Sequence, residues 1–164
     1  MPRWLGIDYG QRRLGLALSD ALLMTAKGLP TFDRGKATQG KQQAQQAANS
    51  LKLAVQHVVG LVQTHAVEQI VVGYPLSLSG EPSAMAHEVE AFVDALEDAL
   101  DAVGLHKVEV ALFDERLTSK LAESNLQAKG QQGSRDKGAI DQEAARLVLL
   151  DYIAHQHPAP LSEG

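Results

Sequence analysis

The chain of 164 residues contains no cysteine, which excludes disulfide frameworks, cysteine-ligated zinc or iron–sulfur sites and a thiol nucleophile. It also lacks an apolar run long enough to span a bilayer, and its first residues lack the charged-then-apolar order of a signal peptide. A cytoplasmic protein is therefore expected.

An excess of positive charge is also missing. Fifteen Lys and Arg stand against 20 Asp and Glu, a formal net charge of −5, which excludes a polybasic nucleic-acid coat or membrane-surface peptide. The acidic residues are concentrated, however, because residues 81–101 hold seven of them and no Lys or Arg. Basic residues elsewhere in the chain can still form a local phosphate-binding patch.

Aromatic residues make up only 4% of the chain, and its Ala and Leu content favours helices packed on a sheet of aliphatic strands. Hydrophobic periodicity predicts five strands, at residues 4–8, 14–19, 25–29, 70–73 and 108–113. Gly28 and Pro30 weaken the prediction of the third strand. Helices are predicted over residues 41–62, 84–103, 118–129 and 139–155.

This order predicts an α/β fold with a mixed five-stranded sheet, the first three strands antiparallel and later ones added in parallel by helical crossovers. One domain is expected over residues 1–157, followed by a polar C-terminal tail over 158–164. The segment 34–46 is rich in Gln, Gly and Lys and is expected to be loose and without chemistry.

Acidic residues stand where three of these elements begin or end. Asp8 closes the first strand, Asp114 and Glu115 follow the strand at 108–113, and Asp141 opens the last helix. Each has a purely structural alternative: an Asx turn before Gly10, acids preceding a helix capped by Thr118, and a first-turn cap.

Taken together, these acids can converge at one edge of the sheet. Such a cluster suits Mg²⁺ or Mn²⁺, and a pair of these ions can drive in-line phosphodiester hydrolysis. Side-chain alternation along the strand at 108–113 does not decide between Asp114 and Glu115. Glu115 has the longer side chain and can reach back toward Asp8.

Four segments, taken in order, resemble the successive motifs of the YqgF/RuvX family. They are GIDYGQRRLGLALSD at 6–20, VVGYPL at 71–76, DERLTS at 114–119 and IDQEAA at 140–145. The resemblance implies an RNase H-like fold. It also implies a metal-dependent nuclease acting in Holliday junction resolution or in maturation of the precursor of 16S rRNA. The family's catalytic and metal-binding acids fall on Asp8, Glu115 and Asp141.

Nucleic acid is the implied partner, whereas the sequence leaves open RNA or DNA and a monomer or a homodimer. Basic residues in or beside the motifs are expected to bind substrate phosphates: Arg12, Arg13, Arg116 and Lys120. The alternative for each is ordinary solvated surface charge.

Two other functions are alternatives to a nuclease. The Asp8-Tyr9-Gly10 pattern also resembles the phosphate loop of actin-like ATPases and sugar kinases, but those enzymes need a duplicated core for which 164 residues leave no room. A non-catalytic ribosome-assembly or transcription factor on the same fold is the stronger alternative. A cleavage assay separates it from the nuclease.

Overall fold

The structure, a computed structural model, describes residues 3–10, 12–34, 43–75, 80, 83–114 and 137–156. In chain order its elements are β1 (Arg3–Tyr9), β2 (Arg13–Ser19), β3 (Ala26–Asp33), α1 (Gln43–His65), β4 (Val67–Tyr74), α2 (Ala84–Ala102), β5 (Glu109–Asp114) and α3 (Lys137–Gln156). The helix predicted over 118–129 and the tail at 158–164 lie outside the described residues. Within those residues, the predicted succession of strands and helices is confirmed.

All five strands form one sheet in the order β3-β2-β1-β4-β5. β1 pairs antiparallel with β2, and β2 with β3, whereas β4 runs parallel to both β1 and β5. The mixed five-stranded sheet is therefore confirmed. Its parallel strands bring the carboxyl ends of β1, β4 and β5 to the same edge.

The third strand is longer than predicted, because it continues through Gly28 and Pro30 to Asp33. It lies at the edge of the sheet, where a proline without an N–H costs few ladder hydrogen bonds. The register with β2 shifts between Leu14 and Leu16, which is a bulge-like irregularity that the sequence pattern did not indicate.

The sheet carries a hydrophobic core on each face. Helices α1 and α2 cover one face, where Leu5, Ile7 and Leu16 are fully buried with Phe92 of α2. Helix α3 covers the other face through a smaller cluster that joins Trp4, Ala17, Val71, Ala145, Val148, Leu149 and Ile153. Alternation along β1 therefore assigns odd-numbered residues to the first face and even-numbered ones to α3.

Helix α2 begins at the predicted residue, Ala84, and ends at Ala102, one residue before its predicted end. Ser83 caps its N-terminus by accepting a hydrogen bond from Ala86 N, and Gly104 follows its C-cap with a φ of 81°. None of the helices within the described ranges is long and apolar enough to cross a membrane.

The expectation of a loose segment from residue 34 onward is wrong at both ends. Residues 43–46 belong to α1, and Arg34 is only 8% exposed. Its guanidinium lies 4.5 Å from the centre of the Tyr9 ring and donates hydrogen bonds to the Gly10 carbonyl (3.0 Å) and to Ser50 Oγ (3.2 Å). An arginine can be buried in this way because its apolar stem and planar head pack while its N–H groups find acceptors.

Candidate active site

Asp8 lies one residue before the end of β1, half-buried on the face that α3 covers. The neighbouring even-numbered residue, Gly6, shows how closely the helix approaches this face. A β-carbon on Gly6 would come within 2.7 Å of the Ala145 carbonyl oxygen and of Leu149 Cβ. Because Asp8 shares the parity of Gly6, its side chain stands on the α3 side of the sheet.

The backbone of Asp141 lies close to the strand pair that contains Asp8. In the β1–β2 register Asp8 is paired with Gly15, and a β-carbon on Gly15 would overlap the carbonyl oxygen of Asp141. The first two turns of α3 thus pass directly over the residue that sits across from Asp8. The backbones of Asp8 and Asp141 therefore both border Gly15, although the two acids are 133 positions apart in the sequence.

The start of α3 corrects one interpretation of Asp141. The helix begins at Lys137 rather than at 139, so Asp141 lies in its second turn and is not an N-terminal cap. Its side chain instead accepts a hydrogen bond from Arg13, with Nε and Oδ2 2.9 Å apart. The Arg13 and Asp141 side chains are 30% and 21% exposed, so this ion pair is partly shielded from water.

The turn that carries the two arginines joins β1 to β2 and makes them a hairpin, in agreement with the predicted antiparallel order of the first three strands. Gly10 N donates to the Arg13 carbonyl (2.9 Å), and Arg34 N donates to the Arg12 carbonyl (2.8 Å). Arg12 pairs with Asp33 at 3.1 Å, and both side chains are nearly half exposed. Of the two neighbours, Arg13 therefore belongs to the acidic site, whereas Arg12 lies on the surface of the hairpin.

The end of β5 brings a third acidic segment to this edge. Asp114 is the last residue of the strand and pairs with Tyr74 of β4. Phe113 packs in the α3-face cluster, with its ring 6.0 Å from that of Tyr152, whereas Val110 packs against the α1–α2 face. Asp114 has the parity of Val110 and so points away from the α3 face, where Asp8 lies.

Three of the predicted site residues lie outside the described part of the chain: Glu115, Arg116 and Lys120. Within the described ranges, no three His, Asp or Glu side chains are grouped so as to hold a metal ion. Asp8 and Asp141 carry carboxylate oxygens, the type of ligand that Mg²⁺ and Mn²⁺ prefer, and the strand that leads to Glu115 ends at the same edge. The donor chemistry therefore fits a divalent cation.

Sequence reasoning missed the glycines and Arg34. Gly6, Gly15 and Gly28 lie on three adjacent strands beneath α3, and a β-carbon on Gly28 would come within 2.6 Å of Gln142 Oε1. A glycine inside a strand often marks close backbone approach, so the signal was present in the sequence. Burial raises the pKa of the Tyr9 hydroxyl, which therefore stays neutral beneath the Arg34 charge.

Comparison with known proteins gives a consistent result across nearly the whole chain. The model of the family described as "RuvX: Holliday junction resolvase" matches residues 2–155. A protein of Chloroflexus aurantiacus is 36% identical over 156 residues, covering 95% of this chain and 89% of its own length. A protein of Anaeromyxobacter dehalogenans is 34% identical over 156 residues, covering 95% and 99%. Both relatives carry the name "Putative pre-16S rRNA nuclease".

Among solved structures, the chain is similar to Thermus thermophilus RuvC, one structure of which holds a Holliday junction substrate. The TM-score is 0.59 at 17% identity, and the match covers 96% of this chain and 97% of that one. At this identity the likeness shows the fold, which is the RNase H-like fold that the sequence motifs implied.

Proposed function

This chain belongs to the RuvX family, and from that premise we propose that it is a nuclease that hydrolyses phosphodiester bonds of nucleic acid with the help of Mg²⁺ or Mn²⁺. The observation that carries the proposal is the passage of Asp141 over Gly15, the strand partner of Asp8. The backbone of Asp141 thus borders the strand partner of Asp8, and carboxylate oxygens are the ligands that Mg²⁺ and Mn²⁺ prefer.

Asp8, Asp141 and Glu115 are proposed as the residues that hold the metal, which is bound as two ions. When bound, the ions supply a Lewis acid for the attacking water and for the leaving oxygen of an in-line displacement. The carboxylates fix the position of the reaction relative to the sheet edge. Arg12, Arg13, Arg116 and Lys120 are proposed to contact phosphates of the substrate backbone.

The choice of Glu115 over Asp114 gains support from the faces of β5. Phe113 faces α3, and the alternation of the strand therefore turns Asp114 toward the far face, away from Asp8, which favours the neighbouring acid, Glu115, as the ligand. The sequence alone left the two faces of β5 equivalent. Packing of Phe113 against Tyr152 and His155 of α3 is what distinguishes them.

Precursor 16S rRNA is the proposed substrate, because relatives as much as 36% identical over nearly the whole chain bear the name of a nuclease for it. The family description favours a second candidate, a four-way DNA junction. Both substrates have a phosphodiester backbone, so the proposed site chemistry does not depend on the choice.

A single-turnover cleavage assay on the purified chain tests the proposal. The substrates are a 5′-extended 16S precursor RNA, a four-way DNA junction and a single strand of matched length, each in Mg²⁺, Mn²⁺ or excess EDTA. Cleavage of the precursor with either metal and none in EDTA is expected. Efficient cleavage in EDTA would contradict metal dependence, and tight binding without cleavage under all conditions would favour a non-catalytic assembly factor. A mock purification from cells that do not express the chain controls for contaminating nucleases.

A further inference from the structure

Arg13 and Asp141 form an ion pair inside the site rather than on its rim. Arg13 Nε lies 2.9 Å from Asp141 Oδ2, and both side chains are more than two-thirds buried. The cation of this pair comes from the first residue of β2, and the anion from the second turn of α3. A basic side chain therefore already neutralises an acid that is proposed to bind a divalent cation.

The neighbouring arginine shows what an ordinary pair looks like on the same hairpin. Arg12 and Asp33 are 3.1 Å apart, but their side chains are 46% and 49% exposed, and solvent screens most of their attraction. The better shielded Arg13–Asp141 pair feels a lower effective dielectric. A divalent ion that approaches Asp141 must therefore overcome the guanidinium charge beside it.

A guanidinium binds carboxylates and phosphates with the same planar, two-pronged geometry. The backbone of Arg13 is fixed, because its carbonyl accepts from Gly10 N and its strand position is paired with Asp33. Only the side chain needs to turn for the guanidinium to exchange a carboxylate partner for a phosphate.

We propose that Arg13 is a tethered cation that competes with the divalent ion for Asp141 and is drawn away by a phosphate of the bound nucleic acid. Metal binding and nucleic-acid binding then strengthen each other, because each removes a competitor of the other. The protein without substrate keeps its site neutralised and holds the ions weakly. This inference rests on the proposed metal site and adds a function for Arg13 beyond a plain phosphate contact.

The first test is Mn²⁺ binding by electron paramagnetic resonance in the absence of nucleic acid. Arg13→Ala should bind Mn²⁺ about five-fold more tightly than the wild-type protein, the size expected for loss of one partly exposed charge interaction. Arg12→Ala is the matched control and should bind Mn²⁺ with wild-type affinity, because its partner is Asp33. Circular dichroism and thermal melting verify that each variant is folded.

The second test is the binding of a short labelled RNA by fluorescence anisotropy, in EDTA and in Ca²⁺, with RNA integrity checked on a gel. Ca²⁺ should tighten RNA binding by a larger factor in the wild-type protein and in Arg12→Ala than in Arg13→Ala, since Arg13 is the proposed link between the two ligands. Equal factors in all three proteins would overturn the coupling.

The outcomes separate this inference from the proposed function. If Mn²⁺ binds the wild-type protein more tightly than Asp141→Asn, but Arg13→Ala binds it no more tightly or more weakly, Arg13 merely positions Asp141 and the competition is refuted. If wild-type, Arg13→Ala and Asp141→Asn proteins all fail to bind Mn²⁺, the metal site itself fails, and the competition fails with it.

Discussion

The carbonyl oxygen of Asp141 occupies the space that a β-carbon on Gly15 would need. Gly15 is also the strand partner of Asp8. Because Gly15 has no side chain, the backbone of Asp141 can approach the strand pair that contains Asp8. The absence of a side chain at residue 15 is therefore part of the site, although glycine itself carries no chemistry.

Gly15→Ala should damage both stability and activity, because the added methyl group can be accommodated only if α3 or β2 moves. Overpacking of this kind costs about 1–3 kcal/mol of the free energy of unfolding. Gly60→Ala is the matched control, since nothing lies within 4 Å of the new β-carbon. In the middle of α1 it should stabilise by about 0.5–1 kcal/mol. Urea unfolding of both variants checks the prediction, and equal effects of the same sign would contradict it.

Arg34→Met should destabilise the fold by about 2–3 kcal/mol, because the partly buried Gly10 carbonyl and Ser50 hydroxyl lose a charged donor. Arg34→Lys should rescue little, since an ammonium does not reproduce the planar fork over Tyr9. Arg12→Ala, which removes an exposed pair, should cost less than about 1 kcal/mol. Thermal melts give the comparison; an Arg34→Met protein as stable as Arg12→Ala would show that the buried contacts contribute nothing.

His57 of α1 should make stability depend on pH. Its ring stacks on Phe32 with centroids 4.2 Å apart, and burial lowers its pKa below the ordinary value. Because the unfolded chain binds the proton more readily, stability should be full above about pH 6.5 and decline as the pH falls toward the lowered pKa of the folded protein. Urea midpoints measured across this range should fall less toward acid pH in His57→Gln than in the wild-type protein. Parallel profiles would refute the assignment to His57.

Glu115→Gln should lower the single-turnover cleavage rate by orders of magnitude while leaving substrate affinity nearly unchanged. Asp114→Asn should act mainly on stability, because the parity of β5 turns Asp114 toward the face opposite Asp8. Cleavage, binding and melting of each variant are measured side by side. The reverse pattern would transfer the catalytic role to Asp114 and leave Asp8 and Asp141 in place.

The sheet could be predicted from local periodicity, because the aliphatic runs of β1, β2, β4 and β5 are each bounded by turn residues. The extent of β3 could not be predicted, since Gly28 and Pro30 are poor strand residues. Pro30 is tolerated because β3 is an edge strand, and Gly28 is required where Gln142 packs closely against it. The local sequence pattern predicts where strands and helices form, but not how tertiary packing extends or shortens them.

The acids of the site could also be predicted from local pattern, since they stand where strands and helices begin or end. The side chains that contact the site or its hairpin could not be predicted in this way. Nothing local ties Arg13 to a residue 128 positions away, and nothing in a Gln- and Lys-rich stretch signals that Arg34 is buried. Both contacts depend on how α3 and α1 pack on the sheet.

Single-turnover cleavage of the 5′-extended precursor by Asp8→Asn, in saturating Mg²⁺ or Mn²⁺, tests the site most directly. The substitution keeps the size of the side chain and removes the charge that metal ligation requires, so the rate should fall at least about 100-fold. The melting temperature should stay the same or rise, because a half-buried charge has gone. A folded Asp8→Asn protein that cleaves at close to the wild-type rate would show that Asp8 is structural and that the chemistry lies elsewhere.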